Sequence, residues 1–118
     1  MRPMIDQGLQ VMGRPGSRQG VHVLALSGAI SSSSASALHD AVSGASCRAL
    51  ILDMGGITHV DSTAVGGLVR AYVSCQKSGR KLALAGLNRR VLNVLSITGV
   101  EPLFEMFATV EDAENSLA

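Results

Sequence analysis

Asp61, Ser62 and Thr63 are the residues in this 118-residue chain best placed to do chemistry. Upstream of them, Ala49-Leu50-Ile51-Leu52-Asp53-Met54 is an apolar run bounded by Gly55-Gly56, the pattern of a strand buried on both faces. Downstream, Ala64, Val65, Leu68, Val69 and Tyr72 recur at helical spacing. A strand therefore hands over to a helix at these three residues, where the first free N–H groups and the positive end of the helix dipole are aimed. Two chemistries fit such a junction. One is capping, because Asp, Ser and Thr accept hydrogen bonds from the N2 and N3 amides. The other is carriage of an anion such as a phosphate on a hydroxyl. Gly66 and Gly67 follow in the first helical turns and cost about 1 kcal/mol each against alanine, which implies that another surface comes close.

Other constellations are poor. Ser62 has no Gly-x-Ser-x-Gly elbow around it, and His22, His39 and His59 carry no mark of a triad base. His59, two residues before Asp61, reads as a surface side chain, and His22 as a partly exposed core histidine with no second ligand at metal spacing. Paired carboxylates with acid/base spacing and a phosphate-binding Gly-x-x-x-x-Gly-Lys-Ser/Thr loop are absent, while Gly13-x-x-Gly16 is too weak a signal for nucleotide binding. No catalytic, cofactor-binding or metal-ligating residue is assigned, and an enzyme is not the expected class.

Composition narrows the class further. An apolar content of 47% with 16% charged residues supplies a core for one domain. The net charge of +1 and the scattered Lys and Arg provide no footprint for nucleic acid or an anionic membrane, and 3% aromatics without Trp argue against base stacking. Neither a membrane-span-length apolar run nor an apolar secretory region at residues 1–20 is present, so a cytoplasmic location is expected. Cys47 and Cys75 read as isolated, small buried hydrophobes.

The elements that must position the junction follow from periodicity and breakers. Leu9 to Met12 and Val21 to Leu26 read as strands of a hairpin joined through the Gly13-Arg14-Pro15-Gly16-Ser17 loop. Ser31 to Ser34 ahead of Ala35, Leu38, Val42 and Ala45 read as an N-cap and an amphipathic helix. The next helix is expected from about Thr63 to Lys77, stopped by Ser78-Gly79. Lys81 to Ala85 alternates as a strand. Asn88 caps a helix over Arg89 to Thr98, with Ile97 inside its apolar stripe and Gly99 ending it. Leu103 to Phe107 reads as a short last strand or extended segment, and Thr109 to Ala113 as the start of a small terminal helix with acids in its first turn. Alternating strands and helices after residue 28 imply parallel strands joined by crossovers. The expected fold is a single α/β domain over 1–118, a mixed, mostly parallel sheet of about four or five strands with about four helices, and a loose segment at 1–8.

The stretch from Leu50 to Val69 resembles the signature of the STAS domain, above all that of the anti-sigma factor antagonists of bacterial partner-switching systems, with its apolar-Asp-Ser-Ser/Thr-Gly-Leu-Gly motif. Here Ala64-Val65-Gly66 stands for Gly-Leu-Gly. Gly20 to Gly28 is similar to the family's second strand, Ser34-Ala35 with Leu38 to its Thr-Ala-x-x-Leu helix, Leu82 to Asn88 to its late strand and turn, and Val91 to Gly99 to its helix ending in Thr-Gly-Val. The family's Gly-Glu-Leu-Asp loop, which helps dock a kinase, lacks its acids here: Ala29 and Ser31 replace them.

That resemblance implies a binding module switched by phosphorylation. Its partners would be an anti-sigma factor that is also a serine kinase of the histidine-kinase-like ATPase fold, and a PP2C-type phosphatase. The unmodified antagonist binds the anti-sigma factor and frees a sigma factor. The phosphoacceptor position falls on Ser62, and the partner-binding surface on Ile30, Ser31, Ser32, Asp61, Thr63, Ala64, Gly66 and Gly67. The free chain is expected to be a monomer that needs no cofactor or metal. The alternative from the same family is a STAS subunit without a phosphorylation cycle, a stressosome-like scaffold or the partner of a lipid-transport ATPase. A small-ligand or nucleotide-binding domain is a further reading, for which only glycine turns speak.

Overall fold

The computed structural model describes residues 4–6 and 8–117. Its organising strand is β4 (Ala49–Val60), in which Leu50, Leu52 and Met54 point to one side of the sheet and Ala49 and Ile51 to the other, all of them buried. β1 (Met4–Asp6), β2 (Leu9–Pro15) and β3 (Val21–Ile30) form an antiparallel meander on one side of β4, and β5 (Lys81–Ala85) and β6 (Glu105–Phe107) follow in parallel on the other. The spatial order β1-β2-β3-β4-β5-β6 is the order in the chain, with β3 and β4 parallel. Such sequential parallel strands need crossovers, which are α1 (Ala35–Gly44), α2 (Val65–Lys77) and α3 (Arg89–Ile97).

Crossovers of one hand, stepping in one direction, place their helices on one face. Leu38 and Val42 of α1, Leu68 and Ala71 of α2, and Val91 and Leu95 of α3 accordingly share one core with Leu24, Leu50, Leu52 and Leu84 of the sheet. The opposite face is covered by the short α4 (Val110–Ser116), whose Ala113, with Leu117 just past its end, packs on Val21, Val23 and Ile51.

The mixed, mostly parallel α/β sheet with four helices is the expected architecture. Its details depart from the sequence reading in four places. The sheet has six strands, because Met4–Asp6, inside the segment expected to be loose, pairs with β2. β4 does not end at Gly55-Gly56 but passes through them to Val60. Ile97 is 85% exposed rather than part of the α3 stripe, because the helix ends there and the chain turns away at Gly99. α2 begins at Val65, preceded by a 3-10 turn over Ser62–Ala64, while its end at Lys77 is where the Ser78-Gly79 stop places it.

The extension of β4 determines where the junction sits. Relative to β3 it carries two extra residues, one between Asp53 and Gly56 and one between Ile57 and His59. Each bulge delays the alternation by one position, so the inward residues run Met54, Ile57, Val60 and the strand end stays anchored in the core. A Cβ at Gly56 would lie 2.8 Å from the Leu26 carbonyl oxygen and from Ser27 Cβ, so this close approach of the two strands requires glycine.

At the other end of the helix layer, Arg80 ties α1 to α2. Its Nη1 donates to the carbonyls of Val42 at 2.6 Å and Ala45 at 3.0 Å at the C-terminal end of α1, where the Val42 carbonyl also accepts from the Ala45 N–H. Its Nε donates to the Ser78 hydroxyl at 2.6 Å. Arg80→Ala is expected to destabilise the fold by about 2 kcal/mol, since charge-assisted bonds to partly buried carbonyls are lost together. Urea unfolding should show a lower midpoint at an unchanged slope. A midpoint equal to that of the parent would mean that water replaces the guanidinium without cost.

Candidate functional site

The site is built where β3 and β4 end side by side. Ile30 pairs with Val60, and the Asp61 N–H donates to the Ile30 carbonyl at 2.8 Å, so the loop Ser31–Ser34 and the loop Asp61–Thr63 leave the sheet as neighbours. Asn88 braces the same end from the β5–α3 turn. Its Oδ1 caps α3 by accepting from the Val91 N–H at 2.9 Å, and its Nδ2 donates to the Ile57 carbonyl at 2.8 Å. The cap is legible in the sequence. The second bond is not, because it joins segments that only the sheet brings together.

Asp61 caps the 3-10 turn in extended conformation. Its Oδ1 accepts from the Thr63 N–H at 2.9 Å and from the Thr63 hydroxyl at 2.8 Å, while its carbonyl accepts from the Ala64 N–H at 2.8 Å. The hydrogen bonds from the Thr63 amide and hydroxyl, with a smaller contribution from His59, hold the Asp61 carboxyl below the usual carboxylate range. A depressed folded-state pKa contributes stability above the unfolded value, and that contribution disappears as pH falls through the folded one. The stability difference between the parent and Asp61→Ala is therefore expected to be constant above roughly pH 5 and to shrink below it. A difference that stays constant down to pH 2 would deny the carboxylate its capping role.

The structure separates the two hydroxyls of the junction. Thr63 Oγ1 is engaged with Asp61, whereas the exposed Ser62 hydroxyl has no hydrogen-bond partner among the described residues. It also corrects one expectation about the amides. The Thr63 and Ala64 N–H groups are not open to an incoming anion, because the Asp61 carboxylate and carbonyl already occupy them.

The expected phosphoacceptor Ser62 is exposed, and among the residues expected to form a contact surface Asp61, Thr63, Gly66 and Ser32 are exposed and Ser31 is half-buried. Ile30, Ala64 and Gly67 are buried within the chain, which removes them from any surface. The two glycines divide accordingly. A Cβ at Gly67 would lie 2.7 Å from the Cβ of Ala35, so this glycine lets α1 and α2 meet, while a Cβ at Gly66 would meet nothing within 4 Å. Ser34 is fully buried, and its hydroxyl accepts from the Ser31 N–H at 3.0 Å, a loop-shaping role that the serine run does not distinguish from its neighbours'.

Among the described residues no group of three His, Cys, Asp or Glu is placed to hold a metal ion, and no helix is long and apolar enough to cross a membrane. His22 and His39 are half-buried and His59 is exposed. Cys75 is buried, which pushes its thiol pKa up, and Cys47 is half-buried.

A six-stranded mixed sheet with its crossover helices on one face, and an Asp-Ser-Thr junction at the end of its longest strand, define a STAS domain. The chain belongs to that family, whose model matches residues 16–113. Three solved proteins illustrate the likeness. An anti-sigma factor antagonist from Mycobacterium paratuberculosis is 21% identical over 92% of each chain, with a TM-score of 0.77. The anti-sigma factor antagonist SpoIIAA in its unphosphorylated form is 18% identical over 92% of this chain and 95% of that one, with a TM-score of 0.73. The phosphorylated form of SpoIIAA, a Bacillus cell fate determinant, gives 18% over 93% and 99%, with a TM-score of 0.67. The murine anion transporter Slc26a9 is 22% identical over 86% of this chain but only 18% of its own, with a TM-score of 0.74. At these identities the likeness is one of fold.

Proposed function

We propose that this STAS domain is an anti-sigma factor antagonist, which binds an anti-sigma factor serine kinase and is switched off when that kinase phosphorylates Ser62. The carrying observation is the asymmetry of the junction. Ser62 offers an exposed, unengaged hydroxyl, and the hydroxyl beside it is held by Asp61. The contact surface consists of Asp61, Ser62, Thr63 and Gly66 with Ser31 and Ser32 of the neighbouring loop. A phosphate adds roughly −1.5 to −2 charge in the middle of that surface. It also competes with the Asp61 carboxylate for the Thr63 amide, so the switch would rearrange the cap as well as charge the contact. A PP2C-type phosphatase would restore the binding form, and the released output is sigma-factor-dependent transcription.

The similarity to SpoIIAA, solved both with and without its phosphate, supports this reading. Mass-spectrometric mapping after incubation with the anti-sigma kinase and ATP tests it. Phosphate on Ser62 is the expected product, and phosphate confined to Thr63 or the Ser31–Ser34 loop would overturn it.

The likeness to a transporter's STAS region favours a second reading, a STAS subunit that binds its partner without a phosphorylation cycle. Ala29 and Ser31, standing where the antagonists' docking loop is acidic, point the same way. Pulldown of a transporter ATPase or a scaffold, with no anti-sigma kinase, would establish it.

A further inference from the structure

Glu114 of α4 is a charged side chain only 6% exposed. No cation meets its carboxylate among the described residues. It accepts instead from the Ser17 backbone N–H at 3.2 Å and from the Ser17 hydroxyl. Two arginines hold the same helix. Arg18 Nη2 donates to Asn115 Oδ1 at 2.9 Å, and Arg48 Nη1 donates to the Leu117 carbonyl at 2.9 Å. Together these contacts keep Ala113 and Leu117 on the second apolar face of the sheet.

Ser17 itself is exposed on the β2–β3 loop, with Arg14 three residues before it and Arg18 directly after. A serine flanked by cations in an accessible loop suits an enzyme whose peptide groove is acidic. We propose that Ser17 is a second phosphorylation site, read by an arginine-directed serine kinase, and that its modification releases α4. The Ser17 hydroxyl, unlike that of Thr63, is offered between arginines, and it must first turn from Glu114; its Oγ then attacks the γ-phosphorus of ATP, the Oγ–P bond forms as the bond to the ADP oxygen breaks, and the hydroxyl proton passes through the kinase's base to solvent.

Three contacts then fail together. The hydroxyl no longer donates to Glu114, and a group of roughly −1.5 to −2 charge stands against a buried carboxylate. The cations at hand are Arg18 and Arg48, which line one open cavity with Gln19 and Gly20. Turning to the phosphate takes them from Asn115 and Leu117. The site is independent of Ser62. The Ser17 loop enters β3 at Val21 and the Ser62 loop lies beyond the Ile30–Val60 pair, about 30 Å away along the strand.

The test uses the full chain, ATP and the catalytic subunit of the cyclic-AMP-dependent kinase as the arginine-directed probe. Mass spectrometry should place phosphate on Ser17, and Arg14→Ala should slow its incorporation by about tenfold or more. Hydrogen exchange of the phosphorylated chain should be about tenfold faster or more in α4, with α2 unchanged. Ser17→Ala, which removes one hydrogen bond and adds no charge, should speed α4 exchange far less. No phosphate on Ser17, incorporation indifferent to Arg14, or a phosphorylated chain whose α4 exchanges like the parent's would each overturn the proposal.

Discussion

Ser62→Ala is expected to bind the anti-sigma kinase as tightly as the parent and to take up no phosphate, while Ser62→Asp is expected to lose roughly 30- to 1000-fold in affinity, about 2–4 kcal/mol. The two variants share a position and differ in charge. Ser62 is exposed with no hydrogen-bond partner among the described residues, so replacing its hydroxyl by hydrogen leaves the fold and the cap intact. A carboxylate there must be desolvated against the partner next to Asp61, which is already ionised, and like charges at a contact oppose binding. Calorimetry on both variants, with circular dichroism to confirm equal folding, measures the difference. Equal affinity of Ser62→Asp and the parent would leave the non-switching reading in front. Thr63→Val supplies a second arm. It removes the hydroxyl bonded to Asp61 but keeps the amide bond, so it should loosen the cap slightly without removing phosphate from Ser62.

Gly67→Leu is expected to lower stability by about 2–3 kcal/mol, and Gly66→Ala to raise it by about 0.5–1 kcal/mol. Adjacent glycines in one helix thus respond with opposite sign. At Gly67 the first added carbon already collides with the Ala35 Cβ of α1, and a larger side chain drives α1 from α2. At Gly66 there is open space, and alanine recovers the helix propensity that glycine loses. Thermal denaturation reads both. Binding separates their roles: if Gly66 belongs to the proposed contact surface, Gly66→Trp should weaken the partner complex while the fold stands, because a Cβ there meets nothing within 4 Å in the chain itself. Undiminished affinity of Gly66→Trp would exclude Gly66 from the contact, and a parent-like melting temperature of Gly67→Leu would show that the helix pair yields.

Buried side chains explain why so much of the fold was legible. Leu50, Ile51 and Leu52 mark the central strand because a parallel strand covered on both faces admits no polar alternation. Asn88 and Ser78-Gly79 mark helix ends because capping is a contact within one turn of the chain. The motif Asp61-Ser62-Thr63 at a strand-to-helix join was visible for the same reason, and so was its capping chemistry.

What the sequence could not reveal was every property that depends on who stands opposite. Gly55-Gly56 looks like the end of a strand until β3 lies alongside and turns it into a bulge. Ile97 has an apolar side chain like the core residues of α3, but it stands two residues beyond the buried Leu95, on the opposite side of the helix, where nothing covers it. Gly66 and Gly67 are indistinguishable as letters, and only the approach of Ala35 makes one internal and leaves the other at the surface. The carboxylate that caps the turn also decides which neighbouring hydroxyl is free. Local sequence determined the elements and the capping triplet Asp61-Ser62-Thr63, because those follow from forces acting within a few residues. The tertiary structure decided exposure, register and partnership, because these are set by segments remote in the chain that only the folded sheet brings within van der Waals distance.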